Sequence, residues 1–276
     1  MVKPYTAVGL IPSVRGIRRR KDIKINLDHL QHLVKAASWL SALDIPVRLI
    51  AIPEGALQAF NDEVLDLDHV KFARECAIDI PGEETEELGK IAREYDAFIM
   101  AQAKARHPDL KDRFFNVGFI LDPKGKVILK HYKVSPLFPV EHSVCPHDVY
   151  DWWIEKYGRN LDAFWPVADT AIGRLGIMMA NEGSSPENAR ALALNGAEAG
   201  VVDIEALRDH RARAQWDNWL KDLRTELYQM LYEQPIYPKN LYLHRAPMKH
   251  EEYREQVIKP QIRLMHERGI WVEPER

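Results

Sequence analysis

Along the first two-thirds of the chain, short continuous apolar runs alternate with stretches of helical spacing. TAVGLIPSV (6–14) is apolar enough to predict a buried strand. Leu27, Leu30, Leu33, Val34, Ala37 and Leu40 then recur at helical spacing behind Asn26, a residue suited to cap a helix. PVRLIAIP (46–53) predicts a second buried strand. Thr85 to Tyr95 predict a helix with Leu88, Ile91, Ala92 and Tyr95 on one face, and FIMAQA (98–103) a third strand. Two apolar runs, NVGFIL and KVILKH, flank Asp122-Pro123-Lys124-Gly125, whose Pro-then-Gly order is hairpin chemistry. A short aromatic helix over 147–157 and a strand RLGIMM (174–179) follow. After a turn, a helix opens on Pro186 and closes at Gly196. This alternation is that of a layered α/β domain.

The pattern changes near residue 202. Asp203 can cap a long helix reaching about Glu233, which Pro235 and Pro238 stop. Another helix runs from about Lys249, is interrupted at Pro260 and ends near Gly269. Trp216, Trp219, Leu220, Leu223, Leu227 and Leu231 form a stripe suited equally to packing on its own chain or docking on a second subunit. The organisation expected is an α/β domain over residues 1–202 and a helical C-terminal arm over 203–276.

Composition then narrows the classes. Thirty-eight Lys and Arg against 41 Asp and Glu give a net charge of −3, too small a field to hold nucleic acid. No run of about 18 apolar residues exists to cross a membrane. The apolar stretch at the N-terminus is too short for a signal peptide, and two cysteines, Cys76 and Cys145, build no disulfide framework, so a cytoplasmic setting is expected. The basic run Arg15, Arg18, Arg19, Arg20 and Lys21 reads as a solvated loop, with anion steering as the alternative.

Candidate chemistry gathers where strands end. Glu54 closes the apolar PVRLIAIP run, beside a low-dielectric interior of the kind that tunes a general base. Lys133 follows the second hairpin strand, where an ammonium can hold an oxyanion and keep a neighbouring carboxylate ionised; Lys130 is its competitor. Glu141 lies eight residues further on. The turn after RLGIMM, Ala180-Asn181-Glu182-Gly183-Ser184-Ser185-Pro186, is a strand-to-helix turn of the type that presents a nucleophile and offers backbone N–H groups to an oxyanion.

Taken in order, IPEG, NVGFILDPKGKVILKHYK, the Glu141 segment and RLGIMMANEGSSPENARALALNGAE resemble the nitrilase superfamily of carbon–nitrogen hydrolases over roughly residues 5–198. The resemblance implies an αββα sandwich, homo-oligomers, and hydrolysis of a non-peptide amide or nitrile by Glu, Lys and Cys through a thioester. Glu54 is similar to the family's general base, Lys133 to its oxyanion-stabilising lysine, and Glu141 to the second glutamate that positions substrate. The Asn181 N–H would complete the oxyanion hole.

The family nucleophile falls at position 180, which is alanine, and a methyl group cannot attack an amide or nitrile carbon. The chain as it stands is therefore expected to bind and not turn over. A deliberately silenced enzyme and a natural pseudoenzyme would both carry such a residue. Ser184 and Ser185 have no histidine placed to activate them. A second departure is that Gly196-Ala197-Glu198 runs within a few residues into Asp203-Ile204-Glu205, so a central block of the second sheet is expected to be missing. The competing class is a non-catalytic binding protein or self-assembling scaffold. Phe138, Trp152, Trp153 and Trp165 read first as core, with a pocket lining as the alternative. His142, Cys145 and His147 match no standard zinc spacing, and neither a metal nor a cofactor is expected.

Overall fold

The computed structural model describes residues 3–42, 45–137, 140–198 and 237–267. The long helix expected from Asp203, its aromatic stripe, Phe138 and Gly269 lie outside the described residues.

A five-stranded sheet runs in sequence order: β1 (Thr6–Gly9), β2 (Val47–Ala51), β3 (Phe98–His107), β4 (Leu110–Leu121) and β5 (Val127–Tyr132). The first three strands are parallel and the last two add antiparallel. The long crossovers carry helices. Helix α1 (Ile23–Ser41) joins β1 to β2. Three more, α2 (Asn61–Val64), α3 (His69–Glu75) and α4 (Glu83–Tyr95), join β2 to β3. The hairpin at Asp122–Gly125 forms as expected, closed by Gly125 N–H donating to Asp122 O at 2.8 Å.

One face of the sheet and the helices make the larger core, around Leu30, Val34, Ile50, Ile78, Leu88, Ile99, Phe115 and Phe119. The opposite face, with Leu49, Phe98, Met100, Ile120 and Leu129, packs on a small hairpin of β6 (Ala168–Thr170) and β7 (Gly173–Leu175). These two strands are the second sheet among the described residues, an incomplete partner for a sandwich. The strand read over 174–179 pairs only to Leu175. Ile177 and Met179 run on without a ladder, buried against the main sheet.

Asn26 is not a helix cap. It sits inside α1, buried, and its side chain donates to the carbonyls of Arg15 and Leu57. The cap position belongs to Asp22, whose carboxylate accepts from the Arg18 and Arg19 N–H groups. Arg20, in the basic run, is tied to Glu84 of α4 by two hydrogen bonds of 2.6 and 2.9 Å.

After α5 (Tyr150–Tyr157), helix α6 (Pro186–Leu194) starts on its proline and ends as expected at Gly196. There a φ of +86° lets Gly196 and Ala197 donate back to Ala193 and Leu192, the double closure that left-handed glycine permits. The C-terminal segment is helical: α7 (His250–Tyr253) and α8 (Lys259–Glu267), joined by a π-helical turn at Arg254–Ile258. Pro260 therefore sits after a π turn rather than at a break, since its missing N–H falls where the ladder is already loosened. Tyr242, Met248 and Val257 enter the larger core, and the Asn240 and Tyr242 N–H groups bond the His147 and Asp148 carbonyls at 2.9 Å. No helix among the described residues is long and apolar enough to cross a membrane.

Candidate active site

The site grows out of a change of chemistry along one face of the sheet. On β3, Phe98 and Met100 point into the smaller core, and Gln102 is the next residue of the same parity. On β4 the corresponding row is Ile120, Gly118 and Asn116; on β5 it is Leu129 and His131. The same face thus turns from apolar to polar towards the end where β2 and β5 deliver their loops. Lys133 donates its backbone N–H to Asn116 O at 2.9 Å, which carries the β4–β5 ladder one step past β5 and sets the two side chains side by side.

There Glu54, Lys133 and Glu141 meet. The Lys133 ammonium donates to Glu54 Oε1 at 2.9 Å and Glu141 Oε2 at 2.7 Å. Lys133 is 2% exposed and the two carboxylates 11% and 5%, so all three charges are withdrawn from water. Burial opposes the ammonium, but Glu141 and Glu54 together outweigh it and hold the lysine above its ordinary pKa. It stays a cation at neutral pH. Lys130, the competing lysine, is pushed down by burial and reaches only the Ile80 carbonyl, at 3.4 Å.

Two residues unforeseen in the sequence order this cluster. Asn116 donates to both glutamates, to Glu141 at 2.7 Å, and accepts from Gln102 at 2.7 Å. Gln102 in turn accepts the Gly55 N–H at 2.9 Å, fixing the backbone beside Glu54. These amides sit in runs that read as plain strand, and only their shared parity with the end of β5 marks them. Glu54 Oε2 is buried and has no hydrogen-bond partner among the described residues.

The turn at 180–184 is a short 3₁₀ segment, and Ala180 has a φ of +38°. A non-glycine residue held in the left-handed region is strained, and the strain-bearing strand–turn–helix elbow is how hydrolases raise a nucleophile clear of the sheet. Ala180 is exposed. Glu182, fully buried, holds the turn: its carboxylate accepts from the Met179 N–H at 2.9 Å and from the Val134 N–H at 2.7 Å, and pairs with His131 at 2.9 Å. Burial would raise the Glu182 carboxyl, but His131 and the two N–H groups win and lower it. Since Val134 follows Lys133, Glu182 also links the elbow to the lysine. Gly118 completes the fit: a Cβ there would stand 2.7 Å from Ile177 Cγ2, so its absence lets the approach to the elbow lie flat on the sheet. The Asn181 side chain faces the carbonyls of Ser135 and Pro136 at 3.4 and 3.5 Å.

Two adjoining cavities share Val134, Ser135 and His147 in their walls. One, of about 230 Å³, includes Glu141, Ser143, Cys145 and three tyrosines, Tyr237, Tyr242 and Tyr253. The other, of about 640 Å³, includes Trp165, Glu187 and Asn188. Glu54, Lys133 and Ala180 line neither. Of the aromatic candidates, Trp165 is a wall residue, Trp153 is core, and Trp152 packs on His107. A thiol, Cys145, therefore stands in the wall of the cavity that Glu141 lines even though position 180 is alanine, so the alanine does not by itself strip the region of sulfur. Cys145 is a poor nucleophile as it stands: burial, with Asp148 adding, pushes its thiol well up. The three-residue set His142, Cys145 and His147 does not converge. His142 faces Asp66, Cys145 faces Asp148, and His147 packs on Tyr150 and Tyr237.

The sheet thus ends in a lysine between two glutamates, and Glu182 ties the residue after that lysine to the strained turn at Ala180. The carbon–nitrogen hydrolase family model matches residues 8–223, and the chain belongs to that family. It is 26% identical over 181 residues to a formamidase of Helicobacter acinonychis, covering 65% of this chain and 47% of that protein. It is 29% identical over 240 residues to a formamidase of Bacillus thuringiensis, covering 82% and 64%. The chain thus spans about half to two-thirds of the length of these relatives. An amidase structure from Nesterenkonia sp. shares the fold, with a TM-score of 0.50 at 16% identity over 72% of this chain and 65% of that one.

Proposed function

We propose that this chain carries a site for short non-peptide amides or nitriles, built for Glu–Lys–Cys thioester chemistry and held without its nucleophile by Ala180. The observation that carries the reading is the buried Lys133 bridging Glu54 and Glu141. Such a lysine supplies a fixed positive charge where a tetrahedral oxyanion would form. The free Glu54 Oε2 supports a proton-accepting role. With a cysteine at position 180, Glu54 would take the thiol proton as sulfur bonds to the substrate carbon. Lys133 and the Asn181 N–H would hold the oxyanion, and Glu54 would return the proton to the departing ammonia. Water activated by Glu54 would then release the acid and regenerate the thiol. The formamidase names of the relatives and the small cavity beside Glu141 favour short substrates. A cytoplasmic homo-oligomer completes the reading.

The test is ammonia release from formamide, acetamide, propionamide and short nitriles, comparing the chain with Ala180→Cys, each also with Cys145→Ser. Release only when position 180 is cysteine, by at least about 10²-fold over the parent, fits one positioned catalytic group. A folded Ala180→Cys chain that forms no acyl adduct in intact mass would sink the reading in favour of a binding or scaffold role. Activity in the parent that Cys145→Ser abolishes would instead identify Cys145 as the nucleophile; its place in the wall beside Glu141 is the reason to include it.

A further inference from the structure

Three side chains outside this site converge on one point. Asp66 Oδ1 lies 3.2 Å from His142 Nε2 and 3.8 Å from His250 Nδ1. All three offer a ligand atom within 4.8 Å of one another. They come from the turn after α2, the segment next to Glu141, and the start of α7. We propose that Asp66, His142 and His250 form a divalent transition-metal site of the two-imidazole, one-carboxylate kind, tying the C-terminal helices to the segment that bears Glu141.

The geometry suits an ion. Zinc–nitrogen bonds of about 2.0–2.1 Å at tetrahedral angles put ligand atoms about 3.3–3.4 Å apart, and the two measured separations bracket that spacing. His142 is 95% withdrawn from solvent at its side chain, yet its Nε2 has no hydrogen-bond partner among the described residues. Its Nε2 faces Asp66 Oδ1, which also accepts the His250 N–H at 3.2 Å, and an ion between the ring and the carboxylate would satisfy the buried nitrogen.

The surroundings orient the ligands. His250 Nε2 donates to the Val140 carbonyl at 3.2 Å, which leaves Nδ1 to face Asp66. The His142 backbone is fixed by His69, whose Nδ1–H donates to its carbonyl at 2.8 Å while Nε2 accepts the Phe114 N–H at 3.2 Å. The neighbouring acid Asp62 is already committed to Lys104. Asp66 and His250 are about one-third exposed, which opens a route for the ion and a position for water as a fourth ligand. Both chain neighbours of Glu141 are thereby held: Val140 by the His250 ring and His142 as a ligand. Imidazole with carboxylate selects Zn²⁺, Co²⁺ or Fe²⁺ over Mg²⁺.

The test needs no turnover, so its outcome is independent of the hydrolase reading. Tag-free full chain, stripped with chelator, is titrated with Zn²⁺ against a chromophoric competitor and with Co²⁺ by visible absorption. One saturable equivalent is expected, with a tetrahedral Co²⁺ band, no competition by Mg²⁺, and a Tm raised by Zn²⁺. His250→Ala and Asp66→Asn, both at positions about one-third exposed and outside the core, should weaken binding more than tenfold and remove the Tm response. Absence of a saturable equivalent in the folded parent would overturn the site. So would equal affinity in the parent and both variants, since the three groups would then be a plain hydrogen-bonded cluster.

Discussion

The end of the sheet that carries Glu54, Lys133 and Glu141 and the turn that carries Ala180 are held by different means. The first is a tertiary assembly: carboxylates from two loops, a lysine beyond β5, and amides on β3 and β4, joined by buried hydrogen bonds. The second is local: a strand end, a strained residue and a helix start, clamped by one carboxylate, Glu182. No hydrogen bond described for the three charged residues passes through residue 180. The charged cluster can therefore persist intact when the elbow carries a methyl group, and the elbow keeps its strained backbone without a thiol to justify it. Strain of this kind is retained only where the surroundings over-determine it, and here Glu182 and the close approach over Gly118 do so.

The largest way to break that separation is to remove the lysine. Lys133→Met should cost about 3–5 kcal/mol in urea denaturation, because two buried carboxylates lose their shared cation. Combined with Ala180→Cys, it should return ammonia release to the parent's level. An unchanged rate would show that the two halves do not act on one substrate.

Glu182→Gln addresses the clamp. The substitution leaves one of the Met179 and Val134 N–H groups or His131 facing an amide nitrogen, a loss of about 1–3 kcal/mol in the same assay. In the Ala180→Cys background it should lower kcat more than it raises KM, since it moves the elbow and not the substrate pocket. Gly118→Ala should cost about 1–3 kcal/mol by pressing a methyl group on Ile177. A neutral result would mean the approach to the elbow is looser than 2.7 Å implies.

The smallest effect is the pH dependence of the clamp. The folded-state pKa of Glu182 lies below the ordinary carboxylate value. Its stabilisation is then fully present above about pH 4.3, the unfolded value, and is lost as pH falls through the folded one. Urea midpoints of the parent and Glu182→Gln should differ by a constant margin from pH 7 to about pH 5 and converge in stronger acid. A margin that widens on acidification would show the sign to be wrong.

How much of this was readable beforehand follows the same division. The elbow, the helix opening on Pro186 and the hairpin at Asp122–Gly125 were legible, because turn residues and helix termini act within a few positions of chain. Glu54 and Lys133 stood out at strand ends and Glu141 through the family resemblance, and the structure brings the three together. Asn26 misled because a residue suited to capping is equally suited to bonding two distant carbonyls from within a helix. Asn116 and Gln102 were hidden in strand-like runs, where nothing local says which face will meet a neighbour. His131 and Glu182 were hidden likewise, since a buried pair is unremarkable until its partner is known.

By itself the sequence determined the alternation of the main strands and helices, the Asp122–Gly125 hairpin and the residue types available at strand ends, because periodicity and backbone preference are properties of adjacent residues; α2, α3 and β6 carried too short a pattern to be read. Only the tertiary structure decided which of those groups share a charge. Strand register set Lys133 beside Asn116, crossover packing carried Glu54 and Glu141 to the same ammonium, and the return of the C-terminal helices brought His250 to Asp66 and His142. Coulomb energy and metal geometry depend on distances of a few ångströms between residues far apart in the chain, and those distances are fixed by packing.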